Sequence, residues 1–143
     1  MNKANLRITN VLLPRYAEEL KRQYEKDDCI PKADFANDTK DQQILIALVD
    51  GKAAGFLSFF NETGLIRNLF VGEENRREGI ASQLLHTLVN ETHLFPYTLK
   101  CPRENRTALD FFRKHGFIIT DSIQDGSSVS LMLQLNYSLR HFA

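Results

Sequence analysis

The chain contains no long hydrophobic run and no excess of charge of either sign. Its longest apolar stretches lie near Ile44–Val49 and Gly55–Phe60, and both are far shorter than the roughly 20 residues of a membrane-spanning helix. Met1–Asn5 leads into no apolar segment of the kind that a secretory signal peptide carries. Lysine and arginine together number 18, as do aspartate and glutamate, whereas dedicated nucleic-acid binders usually have a basic excess. We therefore expect no membrane and no nucleic acid as partner, although a local basic patch is compatible with this balance.

Cysteine is also scarce, and no set of metal ligands is apparent. Cys29 and Cys101 lie far apart without metal-ligand spacing, which favours free thiols in a reducing, cytoplasmic setting. The four histidines form no ligand set with carboxylates at a useful spacing, so no metal is predicted; they are His86, His93, His115 and His141. A length of 143 residues with 43% apolar and 25% charged residues is typical of one globular domain. We predict a single domain spanning residues 1–143.

The first half of the chain is predicted to form a strand, a helix, a helical turn and a three-stranded meander. Tyr16, Leu20 and Tyr24 recur at helical spacing after Pro14, a residue favoured at the first position of a helix. Asp50-Gly51 is a hairpin signal because glycine accepts positive φ without steric cost. The predicted elements are a strand at Asn5–Thr9, a helix from Pro14 to about Lys26, a helical turn around Ala33–Asn37, and strands at Gln43–Val49, Lys52–Phe60 and Leu65–Val71.

The second half is predicted to form two amphipathic helices and three strands. The first helix has one apolar face, made by Ile80, Leu84, Leu85, Leu88 and Val89. The second should place Ala108, Phe111 and Phe112 inward, with Gly116 closing its C-terminal end. The predicted elements are a helix from Ile80 that ends before Phe95-Pro96, a strand at Tyr97–Cys101, a helix at Asn105–His115, and strands at Phe117–Ser122 and Ser127–Leu135. The order βα(α)βββαβαββ indicates an α+β or mixed α/β fold.

The segment between Val71 and Ile80 carries the strongest functional signal. It runs from a strand into a helix through a turn that contains Arg76, Arg77 and Gly79. The N-terminus of a helix exposes unpaired N–H groups and partial positive charge, which together bind phosphate. Gly79 lets the backbone approach an anion without a Cβ in the way. The spacing fits neither a Walker P-loop nor a Rossmann fingerprint, so on its own it is compatible with a phosphate site or with a solvated turn.

Two motifs connect this loop to a known family. Arg76-Arg77-Glu78-Gly79-Ile80-Ala81 fits the pattern Arg/Gln-x-x-Gly-x-Gly/Ala after a strand that ends in Val71. Asn105–Phe117 fits Asn-x-x-Ala-x-x-(apolar)-Tyr-x-x-x-Gly-Phe at every position but one. With these motifs at their usual separation and the same order of elements from about residue 5 to residue 135, the chain resembles the GNAT acetyltransferases.

The resemblance implies a fold and a reaction. The fold would be a twisted mixed sheet of six or seven strands with helices on both faces, whose fourth and fifth strands are parallel and splay apart. The acyl-pantetheine arm of acetyl-CoA (coenzyme A), the co-substrate, would lie between those strands. A primary amine of a small molecule or protein would attack the thioester directly, without a covalent enzyme intermediate. The protein would be a monomer or a homodimer.

The resemblance also assigns residues to the cofactor. The backbone of Leu69, Phe70 and Val71 would pair with the pantetheine amides as an added strand does. Asn105 would meet the pantetheine arm, and Phe112 would lie beside it. The pyrophosphate would be held by N–H groups of the loop residues Arg76, Arg77, Glu78, Gly79, Ile80 and Ala81.

The sequence departs from the family at the position of the general acid. The family uses the tyrosine of the second motif to protonate the leaving thiolate, and this chain has Phe112 there. General acid catalysis contributes about 10²- to 10⁴-fold, so its loss would slow the reaction but need not abolish it. Cys101, Ser122 and Tyr137 are weak candidates for a substitute, and a bound water is another.

A second departure concerns the general base. Many relatives place a glutamate on the fourth strand, where this chain has Arg67, which accepts no proton at neutral pH. Glu62 and Glu104 are alternative bases, although a solvated loop charge is the simpler interpretation of each. Arg67 could instead pair with an acidic group of the acceptor. Because both usual catalytic residues are missing, a non-catalytic module that binds or senses acyl-CoA is the alternative function.

Overall fold

The computed structural model describes residues 5–136 and contains a seven-stranded mixed sheet in the order β1-β2-β3-β4-β5-β7-β6. Its strands are β1 (Leu6–Thr9), β2 (Gln43–Val49), β3 (Lys52–Phe60), β4 (Leu65–Val71), β5 (Tyr97–Pro102), β6 (Ile118–Asp125) and β7 (Ser128–Leu135). Its α-helices are α1 (Pro14–Glu25), α2 (Phe35–Asp38), α3 (Ile80–Thr92) and α4 (Arg106–Lys114), and a 3-10 turn covers Glu73–Asn75.

The strands β4 and β5 pair in parallel, unlike four of the other strand pairs of the sheet. Leu65 lies opposite Thr98 near the start of both strands, where two splaying strands would still be in contact. The pairs β1–β2, β2–β3, β5–β7 and β6–β7 are antiparallel. The predicted order of elements and the mixed sheet with parallel fourth and fifth strands are therefore confirmed.

The residues group into two compact units. Within the described residues, one consists of residues 5–61 with Arg67–His93, and the other of Glu62–Ile66 with residues 94–136. Because the boundary passes through β4, each unit contains a part of that strand. The organisation as a single domain stays a prediction.

An aromatic cluster forms the core on one face of the first unit. Tyr24 of α1, Phe35 of α2, Phe56 of β3 and Phe70 of β4 are buried, and the centroids of their contacting rings lie 5.2 to 6.1 Å apart. Such aromatic pairs contribute roughly 0.5–1.5 kcal/mol each beyond the area they bury. The cluster fixes α1 and α2 against β3 and β4.

The opposite face of this unit is covered as well. Successive side chains of a strand point to opposite faces, and Ile46 and Phe56 belong to the aromatic core. Their neighbours Leu45 and Leu57 therefore point away from that core, yet they are buried too. The helix α3 packs against β2 and β3 and buries the five apolar residues that its periodicity indicated. The first unit thus has helices on both faces of its strands.

The second unit contains α4 and the strands β5, β7 and β6. Leu109 and Phe112 are the buried residues of α4, and the rings of Phe112 and Phe117 lie 5.3 Å apart. Ala108 and Phe111, which were also predicted to point inward, are half-buried. The ring of Phe111 lies beside Phe112 and His115. The short helix of residues 106–114 buries only a narrow stripe of side chains. Leu109 is buried there, whereas the prediction had named its neighbour Ala108.

The predicted boundaries are wrong mainly at β6. This strand was expected at Phe117–Ser122 but extends over Ile118–Asp125. Its pairing with β7 continues to Asp125 and Ser128 on either side of the turn. All residues of β6 are exposed, so no apolar alternation marks its extent in the sequence. Backbone pairing to β7 defines this edge strand.

Candidate functional site

The loop between β4 and α3 has a tightly defined backbone. Its start is tied to β3, because the Gly72 N–H donates to the Ala54 carbonyl oxygen at 2.8 Å. Arg77 then adopts φ 66 and Gly79 adopts φ 80, both in the left-handed region. Gly79 is the N-cap of α3 and provides no side-chain cap. Gly79 therefore places no side chain in front of the first N–H groups of α3, which have no intrahelical acceptor.

The guanidinium of Arg76 is bound to its surroundings. Its Nε donates to the Val71 carbonyl oxygen at 2.8 Å, and its Nη2 donates to Asp27 Oδ2 in an ion pair. Its Cζ lies 5.9 Å from the centroid of the Phe70 ring. This side chain links the loop to the end of β4 and to the segment that follows α1.

Asp27 also organises its own turn. Its second carboxylate oxygen, Oδ1, accepts from the Cys29 N–H at 2.9 Å. This hydrogen bond and the nearby Arg76 hold the pKa of Asp27 below its usual range, although partial burial opposes them. The group is therefore a carboxylate at neutral pH.

A polar network lies at the middle of β4. Asn68 Nδ2 donates to Ser58 Oγ at 2.8 Å and to the Asp38 carbonyl oxygen at 3.0 Å. The Tyr24 hydroxyl lies 2.8 Å from Asp38 Oδ2 and 3.3 Å from Asn68 Oδ1. Burial, together with the hydrogen bond to Asp38, raises the pKa of Tyr24 well above its usual range. The network ties β3 and β4 to α1 and α2.

The two candidate residues of the second motif both lie in the second unit. Asn105 is the N-cap of α4, where its Oδ1 accepts from the Ala108 N–H at 3.2 Å. Phe112 is 8% exposed, and its ring contacts those of Phe111 and Phe117. Asn105 therefore has a structural function as a cap, independently of any ligand.

The candidate acids differ in their surroundings. Cys101 is buried, and burial raises the pKa of its thiol, so the group is protonated at neutral pH but gives up its proton less readily than an ordinary cysteine. Ser122 is exposed on β6. Tyr137 lies outside the described residues. Both cysteines are free thiols.

The candidate bases are all in contact with solvent. Glu62 lies in the turn before β4 and Glu104 in the loop after β5, and both are exposed. Arg67 is exposed on β4.

The residues predicted to hold the pyrophosphate at the start of α3 differ in exposure. Arg77 and Gly79 are exposed, Glu78 and Ala81 are half-buried, and Ile80 is buried.

Neither Asn68 nor Asp27 was predicted as a site residue. Asn68 carried a signal, because it lies between Ile66 and Phe70 on the buried face of β4, and a polar residue at such a position needs partners. No feature of the sequence pointed to Asp27, because its partner Arg76 lies 49 positions away.

Within residues 5–136, no helix is long and apolar enough to cross a membrane. The same residues include no group of three or more histidine, cysteine, aspartate and glutamate side chains that could hold a metal ion.

Solved structures show the same fold. The ribosomal-protein-S18-alanine N-acetyltransferase from Escherichia coli matches with a TM-score of 0.78 at 18% identity, covering 93% of this chain and 94% of that chain. Arabidopsis thaliana Naa50 in complex with the bisubstrate analogue CoA-Ac-MVNAL matches with a TM-score of 0.74 at 19% identity, covering 94% and 100%. A GNAT family acetyltransferase from Elizabethkingia anophelis with acetyl-CoA bound matches with a TM-score of 0.69 at 16% identity, covering 94% and 99%.

Sequence comparison identifies the family. No curated protein sequence matches this chain significantly. The sequence model described as an acetyltransferase (GNAT) domain matches residues 12–132, which confirms the resemblance seen in the two motifs. The match spans most of the chain, and the chain therefore belongs to the GNAT family of acyl-CoA-dependent N-acetyltransferases.

Proposed function

We propose that this enzyme transfers an acetyl group from acetyl-CoA to a primary amine of a protein or small molecule by direct attack, and that the start of α3 holds the pyrophosphate. The observation that carries the site is the Gly79 N-cap, which has φ 80 and no side-chain cap. A helix N-terminus with unpaired N–H groups binds anions. The protein acts in the cytoplasm as a monomer or homodimer, and neither a nucleic acid nor a membrane is its partner.

The loop residues fit a pyrophosphate. The N–H groups of Gly79, Ile80 and Ala81 belong to the first turn of α3 or its cap, where the helix dipole adds partial positive charge. Arg77 is exposed at the same turn and contributes a cation. Arg76 acts through its backbone, because its guanidinium is bonded to Val71 and Asp27. Glu78 contributes an N–H group rather than its carboxylate.

The pantetheine arm would be bound by polar backbone groups. Residues Leu69, Phe70 and Val71 end β4, and a strand with polar backbone groups can pair with an extended ligand. The Val71 carbonyl oxygen already accepts from Arg76, so we assign the pairing to the other backbone groups of this segment. Asn105 lies in the second unit, where its Oδ1 caps α4, and its contact with the arm stays a prediction.

Two similar structures support a protein amine as the first acceptor to test. The Escherichia coli protein is named as an alanine N-acetyltransferase of ribosomal protein S18, and the Arabidopsis protein was solved with a bisubstrate analogue that contains the peptide MVNAL. The exposed Arg67 on β4 would favour an acceptor with an acidic group. Small-molecule amines remain the second class.

Few side chains of this protein are candidates for the proton transfers of the reaction. The attacking amine must lose a proton, and the departing thiolate must gain one. Glu62 and Glu104 are exposed carboxylates that could accept a proton through water. A thiol has a pKa of about 8.5, so its thiolate can leave and take a proton from solvent.

Acetyl-CoA binding and thiol release test the proposal in two steps. Calorimetric titration with acetyl-CoA is expected to show binding, and absence of binding at millimolar ligand would contradict the proposed site. Release of free thiol is then measured with peptides that have free N-termini, the same peptides with blocked N-termini, and small amines. Acetylation of at least one free amine is expected. Binding without thiol release from any acceptor would support the non-catalytic alternative.

Substituting Phe112 by tyrosine is expected to increase turnover. It restores the residue of the family motif and enlarges the ring by one oxygen. The melting temperature should change little if the hydroxyl reaches the site of the departing sulfur, and it should fall if the ring is sealed in the core. General acid catalysis sets an upper limit of about 10²- to 10⁴-fold on the gain. Thiol-release kinetics and thermal unfolding of Phe112→Tyr measure the two quantities.

Phe111→Tyr is the matched control for this experiment. Phe111 is the adjacent, half-buried ring, and its hydroxyl would have no role in proton transfer, so turnover should stay unchanged. Phe112 is itself mostly buried, and a buried hydroxyl without a partner costs about 1–3 kcal/mol. A lower melting temperature of Phe112→Tyr without a gain in rate would contradict the prediction.

A further inference from the structure

We infer that Asp27 is a positioning residue for the pyrophosphate loop, acting through Arg76 to hold the backbone that begins α3. The inference rests on the proposed function, because it assumes that this loop binds acetyl-CoA. Asp27 lies after α1, outside both sequence motifs, and 49 positions before Arg76.

The geometry makes Arg76 a link between three segments. Its Nε bonds the Val71 carbonyl oxygen at the end of β4, its Nη2 bonds Asp27, and its guanidinium lies over the Phe70 ring. The side chain of Asp27 is 9% exposed and that of Arg76 is 42% exposed. Since Asp27 is largely shielded from water, this ion pair is screened less than a pair on the open surface.

The anchored residue directly precedes the strained part of the loop. Arg76 has an extended backbone with φ −76 and ψ 158, and Arg77 follows with φ 66. A non-glycine residue rarely adopts a left-handed conformation unless its surroundings hold it there. The fixed guanidinium of Arg76 restrains the chain on one side of Arg77, and α3 restrains it on the other. The backbone N–H groups at the start of α3 are thereby oriented before the ligand arrives, which reduces the ordering cost of binding.

A second interpretation of the Asp27–Arg76 ion pair predicts the opposite change in the affinity for acetyl-CoA. If the Asp27 carboxylate occupied Arg76 in competition with the phosphates, removing its charge would free a cation for the ligand and strengthen binding. The anchoring role predicts weaker binding. The direction of the change in affinity therefore separates the two.

The test is a double-mutant cycle on acetyl-CoA binding, measured by calorimetry on the full chain. Asp27→Asn keeps an oxygen that can accept from the Cys29 N–H but removes the charge, and it is expected to raise the Kd about three- to tenfold. In an Arg76→Gln background, the same change should have no further effect, because the link is already broken. With a free amine that the wild type acetylates as the acceptor, the KM for acetyl-CoA should rise while kcat stays constant.

Asp28→Asn is the matched control, since Asp28 is the adjacent acidic residue and is exposed; its affinity should equal that of the wild type. Thermal unfolding verifies that each variant is folded. Unchanged or tighter binding by Asp27→Asn would overturn the inference, as would an equal loss in the Arg76→Gln background. If the wild type fails to bind acetyl-CoA, the proposed function fails and this inference with it. If the wild type binds and Asp27→Asn binds equally well, the inference alone fails.

Discussion

Replacing Gly79 by valine is expected to weaken acetyl-CoA binding tenfold or more, which corresponds to about 1.4 kcal/mol. The branched side chain would lie where we propose that the pyrophosphate approaches the backbone. Gly79 also has φ 80, and a left-handed conformation costs a residue with a Cβ roughly 1–2 kcal/mol. Valine would therefore move the N–H groups at the start of α3 as well as crowd the ligand. Calorimetric titration of the folded variant measures the change in Kd.

Gly51→Val separates backbone strain from an effect on the ligand. Gly51 has φ +82, and an added Cβ there meets nothing within 4 Å. The variant carries a similar strain in the turn between β2 and β3, so its melting temperature should fall while its affinity for acetyl-CoA stays the same. Unchanged affinity in Gly79→Val, or an equal loss in both variants, would place the pyrophosphate elsewhere.

Truncating Phe56 to alanine is expected to lower the free energy of unfolding by about 3–5 kcal/mol. Phe56 is 0% exposed, and its ring lies 5.5 Å from Tyr24, 5.2 Å from Phe35 and 5.9 Å from Phe70. The cavity would remove a contact from each of these rings. Domains are typically stable by about 5–15 kcal/mol, so the loss is a large share of the total. Chemical denaturation followed by circular dichroism measures it.

Phe60→Ala provides the comparison within the same strand. Phe60 is the last residue of β3 and is half-buried, so its truncation should cost less. The acetyl-CoA affinity of folded Phe56→Ala should fall as well, because Phe70 supports the guanidinium of Arg76. A loss of stability no larger than that of Phe60→Ala would show that the aromatic core does not depend on Phe56.

The elements with the clearest periodicity were predicted most accurately. The bounds of β2, β3 and β4 agree with the prediction residue for residue, because apolar runs alternate there with turns that contain Asp50-Gly51 and Gly64. The helix α3 begins at Ile80 as expected, since its apolar face repeats with helical period. The edge strand β6 was placed less well because its residues are exposed, and solvent-exposed residues carry no hydrophobic pattern.

The candidate site was predicted in part. The motif Arg76–Ala81 was located from its residue types, and the structure places it at the start of α3. Its positive φ values, 66 at Arg77 and 80 at Gly79, were not predicted. Glycine suggests a left-handed conformation, but an arginine in that conformation gives no sign in the sequence.

The sequence by itself determined the family, the order of the strands and helices, and the position of the loop to which we assign the pyrophosphate, because these depend on local periodicity, turn chemistry and short motifs. Tertiary structure decided which distant side chains hold the loop. Arg76 meets Asp27 across 49 positions, and Asn68 bonds Ser58 and Asp38, because the packing of α1 and α2 against β3 and β4 brings these residues together. Such contacts arise from the three-dimensional path of the chain and leave no periodic trace in its sequence.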